Sequence, residues 1–260
     1  MKRLPVIAII KETLLVVWEK RFVLFRALMA TVLASATLDV AMRHGLKGVS
    51  WVSLLLLLFL YATLGSAIFA LFAITCHRIV LLGEVSVPKY GLLSWTSRET
   101  RFFGWGLVSC FYGLLVIGPV ILATFFGVFF ADFADKERAK YWVTLGVFIG
   151  SVPAVYVVAR LSVLFPATAI GEHRNTDWAF DTTAKNGWRL VAATTLTTAP
   201  FPLGMHALPV DHSLLGDFLM RLVDYAFMAI GIVALSLSFR FLSSTSPEAG
   251  GANFSSSGRA

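Results

Sequence analysis

Charge is what this sequence lacks most. Only 14% of its 260 residues are Asp, Glu, Lys or Arg, against about 25% in an ordinary soluble domain. Cysteine is nearly absent: Cys76 and Cys110 are the two copies, with no CxxC or Cys/His spacing. That excludes a disulfide scaffold and a cysteine-based zinc site. Two small buried apolar side chains are expected instead. Also missing are the HExxH, GxSxG, phosphate-loop and paired-carboxylate patterns on which metalloproteases, hydrolases and nucleotide enzymes depend. A non-enzymatic protein is therefore expected. The five histidines, His44, His77, His173, His206 and His212, fall near segment ends or in loops, which gives no facing pair for haem. No metal or cofactor is expected.

Apolar residues fill the space that charge leaves. They make up 57% of the chain, with 22 phenylalanines and a mean hydropathy of +0.78. Six stretches are long enough to cross a bilayer, at about 22–42, 51–71 (running on toward His77 and Arg78), 105–130, 141–165, 188–208 and 214–242. Such segments must satisfy their backbone internally, so the fold class is an all-α integral membrane protein.

The polar remainder sorts these stretches into pairs. Residues 4–20 alternate apolar and charged positions at helical spacing, with Leu4, Ile7, Ile10, Leu14, Val17 and Trp18 set against Lys11, Glu12, Glu19 and Lys20. A helix lying in the membrane interface is expected there. Residues 82–100 read as a loop and a second interfacial helix, and 171–185 as the polar lead into the fifth span. The expected architecture is six transmembrane helices in three hairpins, each preceded by an interfacial amphipathic helix. The six-span domain covers 1–242, with repeats at 4–82, 83–170 and 171–242. Residues 243–260, rich in Ser, Gly and Ala, are expected to form a disordered cytoplasmic tail.

The repeat is also visible in basic residues. Arg21, Arg101 and Arg189 open the first, third and fifth spans, and Arg78, Arg160 and Arg240 close the second, fourth and sixth. A period of roughly 80 residues suits a repeated supersecondary unit. These six arginines are the candidate binding residues for anionic lipid headgroups or for another membrane protein; anchoring by snorkelling is the plainer role. Basic residues crowd one side of the spans, which places both termini in the cytoplasm. The net charge of +7 is thus spent on topology, and nucleic acid is not an expected partner. The basic start, Lys2 and Arg3, precedes an apolar run broken by Lys11 and Glu12, too short for a cleaved signal peptide.

Intramembrane charge marks the other candidate site. Asp217, Arg221 and Asp224 are spaced by four and three positions, on one helix face. Asp39 lies at similar depth and can join them as an outer ion-pair cluster. Gly118-Pro119, Pro153, Pro200 and Pro202 are candidate helix kinks. A transporter or channel is the alternative to a lipid-organising or partner-organising role, and it would use such charges and broken helices.

The stretch from Ala159, Arg160, Leu161 and Ser162 through Pro166, Gly171 and Glu172, followed by Ala179, Thr182, Thr183, Asn186, Gly187, Trp188 and Arg189, resembles the membrane domain of bacterial glycerophosphoryl diester phosphodiesterases and its stand-alone relatives. About 30 residues carry the likeness. The resemblance implies a six-span bacterial inner-membrane protein. It implies no catalysis, because this chain carries no phosphodiesterase barrel.

Overall fold

The computed structural model describes residues 2–45, 50–130, 136–198 and 213–245. Their regular structure is helical, with no strand among them. In chain order the helices are α1 (Val6–Glu19), α2 (Arg21–Gly45), α3 (Trp51–Leu81), α4 (Ser97–Phe130), α5 (Lys136–Leu161), α6 (Leu164–Ala169), α7 (Thr176–Thr183), α8 (Gly187–Thr198) and α9 (Leu214–Ser244). Among the described residues, five segments are long and apolar enough to cross a membrane: Arg21–Met42, Trp51–Leu81, Ser97–Phe126, Thr144–Ala169 and Leu215–Ser244. The chain is a multi-pass membrane protein by that criterion. Much of the fifth expected span, and most of the tail, lie outside the described residues.

α9 is the hub, in contact with α1, α2, α3, α6, α7 and α8. Its inner face carries Ala229, Val233, Ala234, Ser236, Leu237 and Ser238, all buried. Small side chains let helix backbones approach closely where lipid removes the hydrophobic drive. The same device joins α4 to α5. A Cβ on Gly146 would fall 2.3 Å from Thr124 Oγ1, and one on Gly150 2.9 Å from Val120 Cβ, so this small-xxx-small pair is a contact face.

α1 lies across one end of the bundle, against α8 and α9. It buries Ile9 and Thr13 and exposes Ile7, Leu14, Leu15 and Trp18, the signature of a helix with one side in lipid. α7 is different. It buries Trp178, Ala179, Thr182 and Thr183 and exposes Asp177 and Asp181, so it caps the same end with a water-facing surface.

The structure corrects several expectations. No interfacial helix forms between residues 82 and 96, where a short 3-10 turn (Glu84–Ser86) and a loop stand instead. The cause is a capping box. The Thr96 amide donates to Glu99 Oε2 at 2.8 Å, and the Arg98 amide donates to Thr96 Oγ1 at 3.3 Å. This box starts α4 at Ser97, eight residues before the expected span, and Glu99 is fully buried within it. Residues 136–140, ahead of the expected fourth span, already belong to α5. The fourth apolar span, Thr144–Ala169, is built from two helices, α5 ending at Leu161 and α6 following it. Pro119 and Pro153 sit inside unbroken helices; Pro200 and Pro202 lie outside the described residues. Cys76 is buried, but Cys110 is exposed on the outer surface of α4, facing lipid rather than core.

Candidate functional site

The arginines that close the spans reach into the next segment of the end layer. Arg78, at the end of α3, donates through Nε and one terminal nitrogen to the Ser86 carbonyl at 3.2 and 3.0 Å, and through the other to Ala169 O at 3.2 Å. Arg160, at the end of α5, donates to Thr183 Oγ1 at 2.9 Å and to the Phe180 carbonyl, and its guanidinium lies 4.7 Å from the Phe180 ring centroid. Arg240, near the end of α9, pairs with Glu12 of α1 at 2.5 Å. Each latch therefore joins the end of one helical pair to the segment that introduces another.

Two of the opening arginines make similar reaches. Arg189 donates to Leu4 O at 3.0 Å, and Arg101 contacts the His173 ring at 2.7 Å. Arg21 stays local, bonded to Trp18 O at 2.6 Å and stacked 4.4 Å from its ring. The donors of Arg78, Arg160 and Arg189 are thus engaged with carbonyl and hydroxyl oxygens of the protein. A planar guanidinium suits that role, since it can saturate several freed helix-end carbonyls at once.

Asn186 completes the clasp. Its Oδ1 accepts the Leu4 amide at 2.7 Å and its Nδ2 donates to Lys2 O at 3.1 Å. Asn186 and Leu4 are both buried. Asn186 and Arg189 clasp the start of the chain, while Arg160 is bonded to Thr183 and Phe180. Sequence reasoning missed Asn186 as a functional position. A lone Asn between Lys185 and Gly187 gives no hint of a bond spanning 182 positions.

His77 is fully buried in α3, its Nδ1 2.7 Å from Ser236 Oγ of α9. It ties two helices in the core. No cluster of three or more His, Cys, Asp or Glu side chains able to hold a metal occurs among the described residues.

The opposite end of the bundle holds the charged cluster. Arg221 Nε lies 3.4 Å from Asp39 Oδ2 on α2, and Arg221 Nη1 lies 3.4 Å from Asp224 Oδ2 on its own helix. The Tyr61 hydroxyl of α3 donates to Asp39 Oδ1. Asp217, one turn before Arg221, is buried. Asp39, Tyr61, Arg221 and Asp224, but not Asp217, line a cavity of about 900 Å³, together with Ser66, Phe69, Thr195, Thr198 and Tyr225.

A second, open cavity of about 570 Å³ lies beside it, among Ile117, Ala154, Val155, Val158, Ile232 and Leu235. Phe69, Thr195, Thr198 and Met228 line both. The two form one cleft between α3, α5, α8 and α9, charged at one end and apolar along the rest. The threonines of α8 add little polarity: Thr194, Thr197 and Thr198 each bond a carbonyl of their own helix at 2.8 to 3.2 Å. Volumes of this size are ordinary for a small-molecule site.

No protein-family model, no curated protein and no solved structure matches this chain. The cleft and its chemistry carry the functional argument.

Proposed function

We propose that the chain is a non-enzymatic, multi-pass protein of the bacterial inner membrane that holds and organises lipid. The observation that carries this reading is the cleft: an open apolar groove that shares walls with a cavity lined by a charged cluster near one end of the bundle. A lipid chain matches the apolar part and a polar headgroup the rest. The arginines that open and close the spans fit the reading less well as headgroup ligands, because Arg78, Arg160 and Arg189 bond the protein itself.

We also infer six spans in three hairpins, arranged as three related units, with both termini cytoplasmic. Gly187 begins α8 beside the clasp at the α1 end, and α9, a 31-residue helix, returns to that end at Arg240. A helix of that length spans about 46 Å, so its start at Ser213 belongs to the far end. One further crossing then joins α8 to α9. The excess of basic residues at the α1 end supports a cytoplasmic placement.

The test is native mass spectrometry of the chain extracted in mild detergent. Retained phospholipid is expected, and Val155→Trp, which crowds the apolar cavity, should remove most of it while helix content stays constant. Absence of retained lipid would overturn the reading.

Solute transport is the second reading, favoured by the same charged cluster at the cleft mouth. Reconstituted vesicles would then show proton or solute flux that falls in Asp39→Asn. Flux equal to that of empty vesicles removes this alternative.

A further inference from the structure

We propose that the loop between α3 and α4 dips into the membrane interface and, with the start of α2, binds an anionic phospholipid headgroup. This surface is separate from the cleft, and none of its residues lines the cleft. Two contacts fix the depth of the loop. The Leu92 amide donates to Thr75 Oγ1 of α3 at 3.2 Å. A Cβ on Gly91 would fall 2.2 Å from the Ala27 carbonyl oxygen of α2 and 3.4 Å from Thr75 Cγ2, so the loop backbone is pressed against both helices. Thr75 precedes the end of α3 at Leu81 by six residues, and Ala27 follows the start of α2 at Arg21 by six. Both therefore lie about 9 Å inside the helix ends. The 31 residues of α3 extend about 46 Å, which overhangs ~30 Å of hydrocarbon by about 8 Å at each end. The innermost part of the loop thus meets the boundary between hydrocarbon and headgroups.

The side chains suit that depth. Leu92 is 8% exposed, but its neighbour Leu93 is 64% exposed, and Tyr90 and Trp95 also face outward. Aromatic rings at this level are at home between tails and headgroups. Two cations flank the point where the loop meets α2. Arg26 is exposed and adjoins Ala27, and Lys89, two residues before Gly91, holds its Nζ 5.4 Å from the Tyr90 ring. Among the described residues neither cation has a hydrogen-bond or ion-pair partner. They differ in this from Arg78, Arg160 and Arg189, whose donors go to protein oxygens. The nearest acids in the chain, Glu19 and Glu84, fall before α2 and after α3, beyond the helix ends and further toward water. A lipid phosphate at headgroup level supplies the acceptor that Arg26 and Lys89 lack, with its acyl chains against Leu93 and Phe25, both exposed. A choline headgroup would bring its own cation to the pair, whereas a glycerol headgroup leaves the phosphate charge free for it.

The experiment places a bimane fluorophore on Ser94→Cys in the full chain, with Cys76 and Cys110 replaced by serine. The chain is reconstituted in vesicles of equal parts phosphatidylglycerol and phosphatidylcholine. In one set the acyl chains of the phosphatidylglycerol are brominated, in the other those of the phosphatidylcholine. Bromine quenches only at short range, so quenching reads whether the loop meets lipid, and the ratio of the two sets reads which lipid. Quenching is expected in both sets, with phosphatidylglycerol favoured about fivefold, the effect of one basic side chain at an anionic surface. Arg26→Gln combined with Lys89→Gln should bring the ratio close to one, while Lys185→Gln, which removes an exposed cation beside α8, should leave it unchanged. No quenching from either lipid overturns the proposal, as does equal quenching or a preference for phosphatidylcholine. A preference that survives the double replacement, or that falls as far in Lys185→Gln, overturns the assignment to Arg26 and Lys89. Depth and preference are read on the labelled chain itself, so they are decided even if a variant fails to fold.

Discussion

Replacing Asn186 with Ala tests the clasp directly. The side chain makes two bonds to the start of the chain, accepting the Leu4 amide at 2.7 Å and donating to Lys2 O at 3.1 Å. The two losses differ in cost. Lys2 is exposed, so its carbonyl can turn to water. Leu4 is fully buried, so its N–H is left without an acceptor, which costs about 1–3 kcal/mol. Taking ~2 kcal/mol for the pair, local release of residues 2–5 becomes roughly 30 times more frequent.

Hydrogen exchange at the Leu4 amide in detergent micelles reads that opening. The expected result is a rate increase on the order of 30-fold in Asn186→Ala, with exchange in the middle of α9 unchanged. Asn186→Asp keeps the acceptor, and Arg189, bonded to the neighbouring Leu4 carbonyl at 3.0 Å, offsets the new charge. Its increase should be clearly smaller. Unchanged Leu4 exchange in the alanine variant, or an aspartate variant as fast as the alanine one, would refute the reasoning.

The latches should rank by burial and bond number in thermal unfolding. Arg160→Ala removes bonds to Thr183 and Phe180 and should cost about 2–3 kcal/mol, whereas Arg240→Ala breaks an exposed pair with Glu12 and should cost under ~1 kcal/mol. Equal losses would contradict that order. Two glycines make a matched comparison. Gly83 and Gly91 both have positive φ, at 88° and 80°, so alanine strains either by about 1–3 kcal/mol. Only at Gly91 would the new Cβ also fall 2.2 Å from the Ala27 carbonyl oxygen, while nothing lies within 4 Å at Gly83. Gly91→Ala should therefore unfold at a clearly lower temperature than Gly83→Ala.

The long helices were legible because hydropathy in lipid is a local signal: each span announces itself within about 20 residues. The start of α4 was legible in principle through Thr96 and Glu99, whose three-residue spacing is that of a capping box, but the charges Glu84, Lys89, Arg98 and Glu99 equally suit an interfacial helix. Arg221 and Asp224 could be placed on one face from their spacing. That Asp39 stands 3.4 Å from Arg221 across two helices is a property of packing. The arginines illustrate the limit. Their period is written in the chain, yet their partners are carbonyls, which no sequence distinguishes, and Arg78 reaches Ala169, 91 positions away. The cleft was not legible at all, since its walls come from helices far apart in the chain and depend on how closely α8 approaches α9.

The most direct test of the architecture is the sidedness of Lys185 and Ser213, both exposed, the first just before α8 and the second at the cap of α9. Single cysteines at these positions, in a chain with Cys76 and Cys110 replaced by serine, would be probed in intact cells with a membrane-impermeant maleimide. Labelling of Ser213→Cys in intact cells, with Lys185→Cys labelled only after permeabilisation, is the predicted result. Labelling of both from the same side would contradict it.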